Sequence, residues 1–401
     1  MTSDSSSISV GLVELNVGDL YINNLQVNSV SIDSNSVIKV NNGAGEVNIR
    51  GSAFNSVTRT GSGNGGAINA ELNGGSKLTI KDQCSFTSCS CINGNGGAIY
   101  TSLSSSSSGS ISIIGSASTF SSCAVSSTSG HGGAIYLDLA SGTETQYDLT
   151  GASYSTTIDT LNNAQYGKNL FIKAANLRSA VPIGDSTRIK LGALNPETDF
   201  YKLMGYDGAN TLAIPLYYVY TAVISDIYHV NNGAGSYTIG SGYDNTFCGH
   251  YGWPCLTIGY AIDLSGSASE KKVGIITGYK LSESVGLTKT GIQISNSLTS
   301  TGDTSISASI LLIESAGKLL VTNGPVQFNY ISFSINTNAG SGYVITGSTS
   351  STKISIDNCL MIMTSDSSSI SVGLVELNVG DLYINNLQVN SVSIDSNSVI
   401  K

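Results

Sequence analysis

Apolar and polar residues alternate in short runs along most of the chain. Six runs show the pattern clearly, at residues 76–82 (SKLTIKD), 110–116 (SISIIGS), 271–280, 309–322, 326–335 and 353–362. An apolar residue at every second position is typical of a strand with one buried face, and the Gly and Asn residues between the runs favour turns. The alternation therefore predicts an all-β fold built from many short strands.

A second pattern recurs three times in the first half of the chain. The tetrapeptide Gly-Gly-Ala-Ile occurs at spacings of 31 and 36 residues, with the glycine pairs Gly65 and Gly66, Gly96 and Gly97, and Gly132 and Gly133. A Phe precedes each tetrapeptide by 10 to 12 residues and has an apolar or Cys partner three positions on, as Phe54/Val57, Phe86/Cys89 and Phe120/Cys123. Each cycle predicts three strands and thus one coil of a β-solenoid. Gly-Gly permits a tight corner, and a Phe at the same place in every coil stacks along the axis.

The combination of Phe-x-x-(Asn/Cys) with Gly-Gly-Ala-Ile resembles the repeats of the chlamydial polymorphic outer membrane proteins and of giant tandem-repeat surface proteins of protists. The resemblance covers about residues 50–140 and implies a right-handed parallel β-helix. It is much more specific for fold than for function. The sequence departs from the family where Asn is replaced, by Val57 in one cycle and by Cys89 and Cys123 in the other two. Stacked coils would place these two cysteines near enough for a disulfide.

The first 39 residues recur, letter for letter, as the last 39. Residues 1–39 are identical to residues 363–401, which sets a period of 362 residues. Single solenoid repeats are much shorter, about 20–50 residues. We therefore expect a whole domain copied head to tail, with Met1 inside the array, so that the sequence carries no information about a secretion signal. An artificial overlap of the two ends is the alternative.

The composition changes between residues 182 and 260. This segment holds four of the five prolines, half of the 20 tyrosines and the single tryptophan. We expect residues 1–145 to be the C-terminal part of one β-helix, residues 146–235 its end cap and a Tyr- and Pro-rich connector, and residues 236–401 the N-terminal part of the next β-helix. A complete unit would begin near Tyr228, continue past residue 362 and end near Tyr220. About eight coils outside the connector would span roughly 40 Å.

The cysteines favour an oxidising compartment, and hence an extracellular or cell-surface location. Cys248 and Cys255 bracket the sequence CGHYGWPC, which suits a local disulfide. Cys84 and Cys91 lie near Cys89 and Cys123 in the motif region, but no His joins them with the spacing of a zinc site. Because the total is seven, one cysteine is left over, and we expect Cys359 to be unpaired or to pair between units.

Charge narrows the choice of partners. Charged residues make up 11% of the chain and the net charge is −9, compared with a usual charged share of about 25%. This argues against nucleic acid and against anionic membrane surfaces, and no apolar run reaches the roughly 18 residues of a membrane helix. We expect no cofactor. The expected partners are tandem copies of the same unit and neighbouring filament subunits, with a carbohydrate or cell-surface ligand as the alternative.

Parallel β-helices also house polysaccharide-degrading enzymes. Gly130-His131-Gly132 and Arg188-Ile189-Lys190 match two short motifs of polygalacturonases. Glycoside hydrolysis needs paired carboxylates, but no acidic residue lies between Asp82 and Asp138. We therefore interpret His131 as a turn residue and expect no catalytic or metal-binding residues.

The favoured function is a structural repeat unit of a long extracellular filament. The contacts between units are predicted to involve Tyr217, Tyr218, Tyr220 and Trp253, because aromatic side chains bury a large area at low entropic cost. A β-helical surface adhesin is the alternative, and a polysaccharide-degrading enzyme is the least favoured of the three.

Overall fold

The computed structural model describes residues 11–104, 109–183, 190–192, 200–233, 242–296, 309–364, 370–390, 392–394 and 398–401. The chain divides into two compact units, Met1–Ala222 and Val223–Lys401. They are called unit 1 and unit 2, and each is described by itself.

Unit 1 is built from short strands that follow one another in groups of three. In chain order the strands are β1 (Val13–Leu15), β2 (Gly18–Asn23), β3 (Gln26–Ile32), β4 (Ile38–Val40), β5 (Ala44–Arg50), β6 (Ala53–Ser62), β7 (Ile68–Leu72), β8 (Lys77–Lys81), β9 (Ser85–Thr87), β10 (Ser90–Asn93), β11 (Ile99–Leu103), β12 (Ser110–Ile114), β13 (Ser118–Ser121), β14 (Ala124–Val125), β15 (Ile135–Leu139), β16 (Tyr147–Asp148), β17 (Ala152–Tyr154), β18 (Leu170–Ala174), β19 (Leu203–Asp207) and β20 (Ile214–Pro215). Helices α1 (Leu177–Ala180) and α2 (Leu216–Tyr220) and the 3₁₀ turns Ile158–Thr160 and Phe200–Lys202 lie near the end of the unit.

Strands of successive coils stack in parallel on three faces. The first face has the order β1-β4-β7-β11-β15-β18-β19, the second β2-β5-β8-β12-β16, and the third β3-β6-β9-β13-β17, with β10 and β14 continuing from the second half of β6. The stacking is in register, so that Ile68, Ile99 and Ile135 form one fully buried row. Unit 1 is therefore a parallel β-helix, which confirms the predicted fold.

The last coil of unit 1 ends the parallel stack. Strand β20 runs antiparallel to β19 and pairs Ile214 with Gly205. The Arg178 side chain of α1 donates a hydrogen bond of 2.6 Å to the carbonyl of Val219 in α2. These contacts cover the end of the first face, where an unpaired strand edge would otherwise be exposed.

Unit 2 has the same architecture. Its strands are β21 (Ile227–Val230), β22 (Lys271–Ile275), β23 (Gly278–Leu281), β24 (Ser284–Leu287), β25 (Ile292–Asn296), β26 (Ile310–Ile313), β27 (Lys318–Val321), β28 (Val326–Asn329), β29 (Ser332–Ile335), β30 (Gly342–Gly347), β31 (Lys353–Met363), β32 (Val372–Leu377) and β33 (Asp381–Asn390), with α3 (Ile258–Leu264) and the 3₁₀ turn Ile224–Asp226 before β22.

Three parallel stacks run through unit 2, in the orders β21-β22-β25-β28-β31, β23-β26-β29-β31 and β24-β27-β30-β32. Strand β31 belongs to two of them because it bends at Asn358, whose φ is +50°. Strand β33 pairs with β31 along both of its halves. Asn is one of the few residues other than Gly that adopts this left-handed conformation readily, so the sequence supports the bend.

The predicted domain boundaries stay a prediction, and two observations lie near them. Strands β18 and β19 stack in register on β15 although they lie within the predicted connector, residues 146–235. The compact units meet after Ala222, upstream of the predicted boundary at residue 235. The prolines and tyrosines of residues 182–260 lie in both units, so that the composition shift does not separate the last coils of one helix from the first strand of the next.

Candidate functional site

The three motif phenylalanines form a row of stacked rings in the core of unit 1. The ring centroids of Phe54 and Phe86 are 5.0 Å apart with planes 3° from parallel, and those of Phe86 and Phe120 are 4.9 Å apart with planes 1° from parallel. All three side chains are fully buried. Tyr154 extends the row into the next coil at 5.8 Å. The predicted stacking is confirmed, and its role is to fix the register of neighbouring coils.

The two glycines of each motif serve different purposes. The first glycine adopts a positive φ: 72° at Gly65, 69° at Gly96 and 68° at Gly132. The second glycine leaves no room for a side chain, because an added Cβ on Gly66 would lie 2.2 Å from the carbonyl oxygen of Gly97 and one on Gly97 would lie 2.1 Å from that of Gly133. Both glycines are thus required where the chain turns against the next coil.

The cysteine predictions have two outcomes. Cys248 and Cys255 form the expected disulfide in unit 2. Cys89 and Cys123 occupy equivalent places on adjacent coils but are free thiols, and the predicted disulfide between them is not present. Strands in register hold equivalent side chains parallel at the strand spacing of about 4.8 Å, whereas a disulfide brings the two Cβ atoms to about 3.8 Å. Each Sγ instead lies 3.3 Å from the carbonyl oxygen of the motif Phe one coil earlier.

The other cysteines that the structure describes are buried free thiols. Cys84 lies beside the motif. Burial raises the pKa of Cys91 to about 11, and it raises the pKa of Cys359 to about 11 as well. For Cys89, the hydrogen bond with the Cys123 thiol and burial together raise the pKa well above its ordinary value. These thiols therefore stay protonated at neutral pH and act as small apolar core residues.

Asn162 takes the place of the motif cysteine in the following coil, which the sequence did not reveal. Its Oδ1 accepts a hydrogen bond of 2.9 Å from the backbone N–H of Cys123, and its Nδ2 donates to the carbonyl of Phe120 at 3.3 Å and to Asn169 Oδ1 at 3.0 Å. An Asn therefore occupies the place that Cys89 and Cys123 hold in the two preceding coils. Asn162 does not follow its aromatic residue with the spacing Phe-x-x-Asn, because an additional loop separates it from Tyr154. The sequence pattern therefore does not identify it.

A disulfide loop, residues 242–257, precedes helix α3 in unit 2. Asp244 holds its end: Oδ1 accepts from the backbone N–H groups of Leu256 and Thr257 at 2.9 and 3.0 Å, and Oδ2 accepts from the Thr257 hydroxyl at 2.7 Å. Thr257 in turn caps α3 by accepting from the N–H of Tyr260. The Asp244 carboxylate and the two sulfurs lie within 4.8 Å of one another, as the ligands of a metal ion would. The sulfurs, however, form a disulfide with each other, and the carboxylate accepts hydrogen bonds from the backbone.

The predicted junction residues lie in two separate clusters. Tyr217, Tyr218 and Tyr220 belong to α2 of unit 1. The centroids of Tyr217 and Tyr218 lie 5.5 and 5.3 Å from that of Phe200, and Tyr220 contacts Tyr217 at 5.8 Å. Burial raises the pKa of Tyr220 to about 12. Trp253 belongs to unit 2, where its ring stacks on Tyr243 at 4.9 Å. Each cluster is packed within its own unit.

An aromatic row on the outside of the first face was missed by the sequence analysis. Tyr100, Tyr136 and Phe171 occupy paired positions on three successive strands, with ring centroids 5.4 Å apart at each step. Burial raises the pKa of Tyr100 to about 12. The residues are outward-facing by alternation, and periodicity alone gives no sign that outward rings stack on each other.

His131 lies beside this row and is more than a turn residue. Its ring centroid is 4.8 Å from that of Phe171 and 5.7 Å from that of Tyr166. Its Nε2 lies 3.0 Å from the Tyr206 hydroxyl and its Nδ1 lies 3.2 Å from Asn95 Oδ1. The interpretation as a simple turn residue is therefore incomplete, because His131 ties together side chains from three coils.

Charged side chains pair mostly between neighbouring coils. Examples are Lys77 with Glu46, Lys173 with Asp138 and Lys280 with Glu314. Exposed pairs of this kind contribute at most about 1 kcal/mol each. Arg188 and Ile189 of the second polygalacturonase-like match lie outside the described residues.

The two copies of the 39-residue repeat form the same coil. In the first copy Val13 pairs with Ile38, and in the second Val375 pairs with Ile400, the same two positions moved by one period. Lys39 binds Glu14 at 3.2 Å, and Lys401 binds Glu376 at 2.9 Å. Residues 1–10, 365–369, 391 and 395–397 of the two copies lie outside the described part of the chain.

Within the described residues, no helix is both long and apolar enough to cross a membrane. No protein-family model matches the chain, and neither a curated protein nor a solved structure matches it. The fold is therefore assigned from its strand pairing alone.

Proposed function

We propose that the chain is a structural repeat unit of a long extracellular or cell-surface filament, in which units follow one another head to tail. The observation that carries the proposal is the equivalence of the two repeat copies. Identical residues pair as Val13–Ile38 in unit 1 and as Val375–Ile400 in unit 2. The coil at which the period closes thus belongs to the solenoid and not to a linker.

Joining the two units at this coil gives an uninterrupted β-helix. In unit 2, the strands β24, β27 and β30 precede β32, and the residues of β32 recur in β1. In unit 1, seven strands of the first face run from β1 to β19, so that one period holds ten strands of this face. Ten strands at about 4.8 Å each give a solenoid of about 50 Å per period. This exceeds the eight coils expected from the sequence, because β18 and β19 lie in the predicted connector.

The aromatic row of the first face favours a structural role over ligand binding. The rings of Tyr100, Tyr136 and Phe171 stack on one another, with planes 14° and 9° from parallel. Phe171 is fully buried and Tyr136 is 5% exposed, whereas a sugar needs an exposed aromatic face. The row therefore suits stabilisation of the coil stack better than carbohydrate binding, which is the adhesin alternative.

The disulfide supports the location. Cys248 and Cys255 are bonded, and disulfides persist mainly in secreted and surface proteins. Tyr217, Tyr218, Tyr220 and Trp253 remain our candidates for contacts between successive units. A polysaccharide-degrading enzyme is the least favoured function, because the sequence offers His131 no paired carboxylates of the kind that glycoside hydrolysis requires.

Electron microscopy of a protein with four 362-residue periods in tandem tests the proposal. We expect straight rods with an axial repeat of at least about 50 Å. Bent molecules resembling beads on a string would reject the rigid filament. Specific binding of the 401-residue chain to a panel of glycans would instead favour the adhesin.

A further inference from the structure

The dipeptide Asn-Gly occurs seven times in the sequence. Its asparagines are Asn42, Asn64, Asn73, Asn93, Asn95, Asn232 and Asn323. An Asn followed by Gly can lose its side-chain amide without an enzyme. The Gly backbone nitrogen loses its proton and attacks the Asn side-chain carbonyl carbon, ammonia leaves, and water opens the resulting succinimide ring to give Asp or isoaspartate. Because the attack requires a free Gly N–H and a mobile Asn side chain, the structure decides which of the seven sites can react.

Two of these dipeptides belong to the motif corners, where the next coil holds both reacting groups. The N–H of Gly65 donates to the carbonyl of Asn95 at 2.9 Å, and the N–H of Gly96 donates to the carbonyl of His131 at 3.0 Å. Asn64 Oδ1 accepts the backbone N–H of Asn95 at 2.9 Å, and Asn95 Oδ1 accepts that of His131 at 2.9 Å. Neither amide can be attacked until at least two hydrogen bonds between coils have opened.

Three further dipeptides are held in part or in full. Asn232 bonds to the backbone of Lys280 through Oδ1 at 2.9 Å and through Nδ2 at 2.7 Å, and the N–H of Gly233 donates to a neighbouring side chain at 2.9 Å. The Nδ2 atom of Asn93 donates to a carbonyl of the preceding coil at 3.0 Å. Asn323 Oδ1 accepts the N–H of the glycine that follows it at 3.1 Å. At each site a hydrogen bond must break before the ring can close.

Asn42 and Asn73 differ from the other five. They lie in equivalent turns of adjacent coils, because the first turn joins β4 to β5, the second joins β7 to β8, and these strands pair with each other. Within the described part of the chain, neither the two Asn side chains nor the N–H groups of Gly43 and Gly74 form a hydrogen bond. Both glycines are exposed and have a positive φ, 93° and 57°. The attacking nitrogen and the amide are thus both free to move.

We propose that Asn42 and Asn73 are sites of spontaneous deamidation. The coil stack protects Asn64, Asn95 and Asn232, although each of them is followed by the same flexible glycine. Deamidation of both turns replaces two neutral amides with carboxylates, which adds two negative charges on adjacent coils to a net charge of −9. The inference goes beyond the proposed filament and does not rest on it.

One tryptic peptide contains a matched pair of sites. Trypsin cleaves after Arg59 and Lys77 and releases residues 60–77, which hold both Asn64 and Asn73. The folded 401-residue chain is kept in mildly alkaline buffer at physiological temperature and sampled over several weeks. Each sample is digested in mildly acidic solution, where the reaction is slow, and tandem mass spectrometry assigns the mass change to one Asn or the other. The same chain unfolded in urea and the synthetic peptide 60–77 are the controls.

In the folded chain we expect Asn73 to react about as fast as in the synthetic peptide. Asn64 should react at least about tenfold more slowly, because each hydrogen bond that must first open slows the reaction roughly fivefold. In urea the two rates should become equal. Asn42, in the tryptic peptide 40–50, should react at a rate close to that of Asn73.

Three results would overturn the proposal. The first is equal conversion of Asn64 and Asn73 in the folded chain. The second is a folded chain in which Asn42 and Asn73 stay unchanged while the synthetic peptide reacts. The third is a difference between Asn64 and Asn73 that persists in urea, since the local sequence and not the coil stack would then set the rates. The variant Asn73→Ser checks the assignment, because it should lose the reaction at residue 73 and keep that at Asn42.

Discussion

The Nε2 atom of His131 lies 3.0 Å from the hydroxyl oxygen of Tyr206, 75 residues further along the chain. On the other side of the ring, Asn95 Oδ1 lies 3.2 Å from Nδ1 and also accepts the His131 backbone N–H at 2.9 Å. Because an amide oxygen only accepts, Nδ1 carries the proton and Nε2 accepts from Tyr206. The contact in which Nε2 accepts requires the neutral imidazole, whereas the Nδ1–H bond to Asn95 exists in both protonation states.

This arrangement predicts a pH-dependent stability. Burial lowers the pKa of His131 below its ordinary value of 6.5, so the unfolded chain takes up the proton first as the pH falls. The contribution of the neutral ring is fully present above pH 6.5 and is lost as the pH falls below that value toward the folded pKa. We expect the melting temperature of the wild-type protein to fall between pH 7 and pH 5 more steeply than that of His131→Gln.

His229 provides the comparison for this experiment. Burial lowers its pKa as well, and its Nδ1 lies 3.1 Å from the carbonyl oxygen of Gly249. His229→Gln should therefore remove a separate part of the fall in melting temperature between pH 7 and pH 5, and the double variant should remove both parts. Identical pH profiles for wild type and His131→Gln would contradict the assignment of a neutral, hydrogen-bonded His131.

The stacked phenylalanines predict a large effect of a single core substitution. The Phe86 ring has neighbours at 5.0 and 4.9 Å on its two sides. Phe86→Ala leaves a cavity between them, and such changes cost about 3–5 kcal/mol of the free energy of unfolding. Urea denaturation followed by circular dichroism measures the change. Phe86→Leu keeps most of the volume and should cost less; equal costs would show that the stack of rings contributes little.

The second motif glycine predicts a steric effect that differs from backbone strain. A Cβ on Gly97 would lie 2.1 Å from the Gly133 carbonyl oxygen, which belongs to backbone that is held by the next coil. Gly74 has a φ of +57° and nothing within 4 Å of an added Cβ. Gly74→Ala should therefore cost only the conformational strain, about 1 kcal/mol. Gly97→Ala should cost distinctly more in the same unfolding assay, and a smaller loss for Gly97→Ala would rule out the proposed close approach.

The sequence predicts those features that neighbouring coils repeat at a constant spacing. Phe54, Phe86 and Phe120 recur with the glycine pairs, and a periodic core in a parallel fold leaves few alternatives for their placement. Cys89 and Cys123 follow the same spacing, and their proximity was predicted correctly. Their bonding was not, because whether two parallel side chains reach disulfide geometry depends on distances of less than 1 Å between Cβ positions.

Features formed by residues at irregular spacing are not visible in the sequence. Tyr206 lies 75 residues from His131 in the sequence and is brought close to it by the stacking of β15, β18 and β19. Asn162 reaches the motif position through an additional loop after Tyr154. The buried side of Leu374 and the exposed side of Leu12 are an extreme case, since the local sequence is identical. Leu374 is covered by β30, which pairs with β32.

The disulfide loop predicts a local loss of stability upon reduction. Cys248 and Cys255 are separated by seven positions, and closing a loop of this size contributes about 2–3 kcal/mol in the chain-entropy description. Trp253, the single tryptophan of the chain, lies inside the loop and stacks on Tyr243, so that its fluorescence reports on this region. We expect the double variant Cys248→Ala/Cys255→Ala to shift the urea transition of tryptophan fluorescence to lower concentration.

A reductant separates the effect of the bond from that of the substitutions. Dithiothreitol should move the wild-type fluorescence transition in the same direction as the double variant, because both open the same loop, and it should leave the double variant unchanged. Asp244 closes the loop from its other end through hydrogen bonds to Leu256 and Thr257, so Asp244→Ala should add to the shift. If the reductant has no effect on the wild-type transition, the hydrogen bonds of Asp244 alone hold the loop and the disulfide contributes nothing measurable to unit 2.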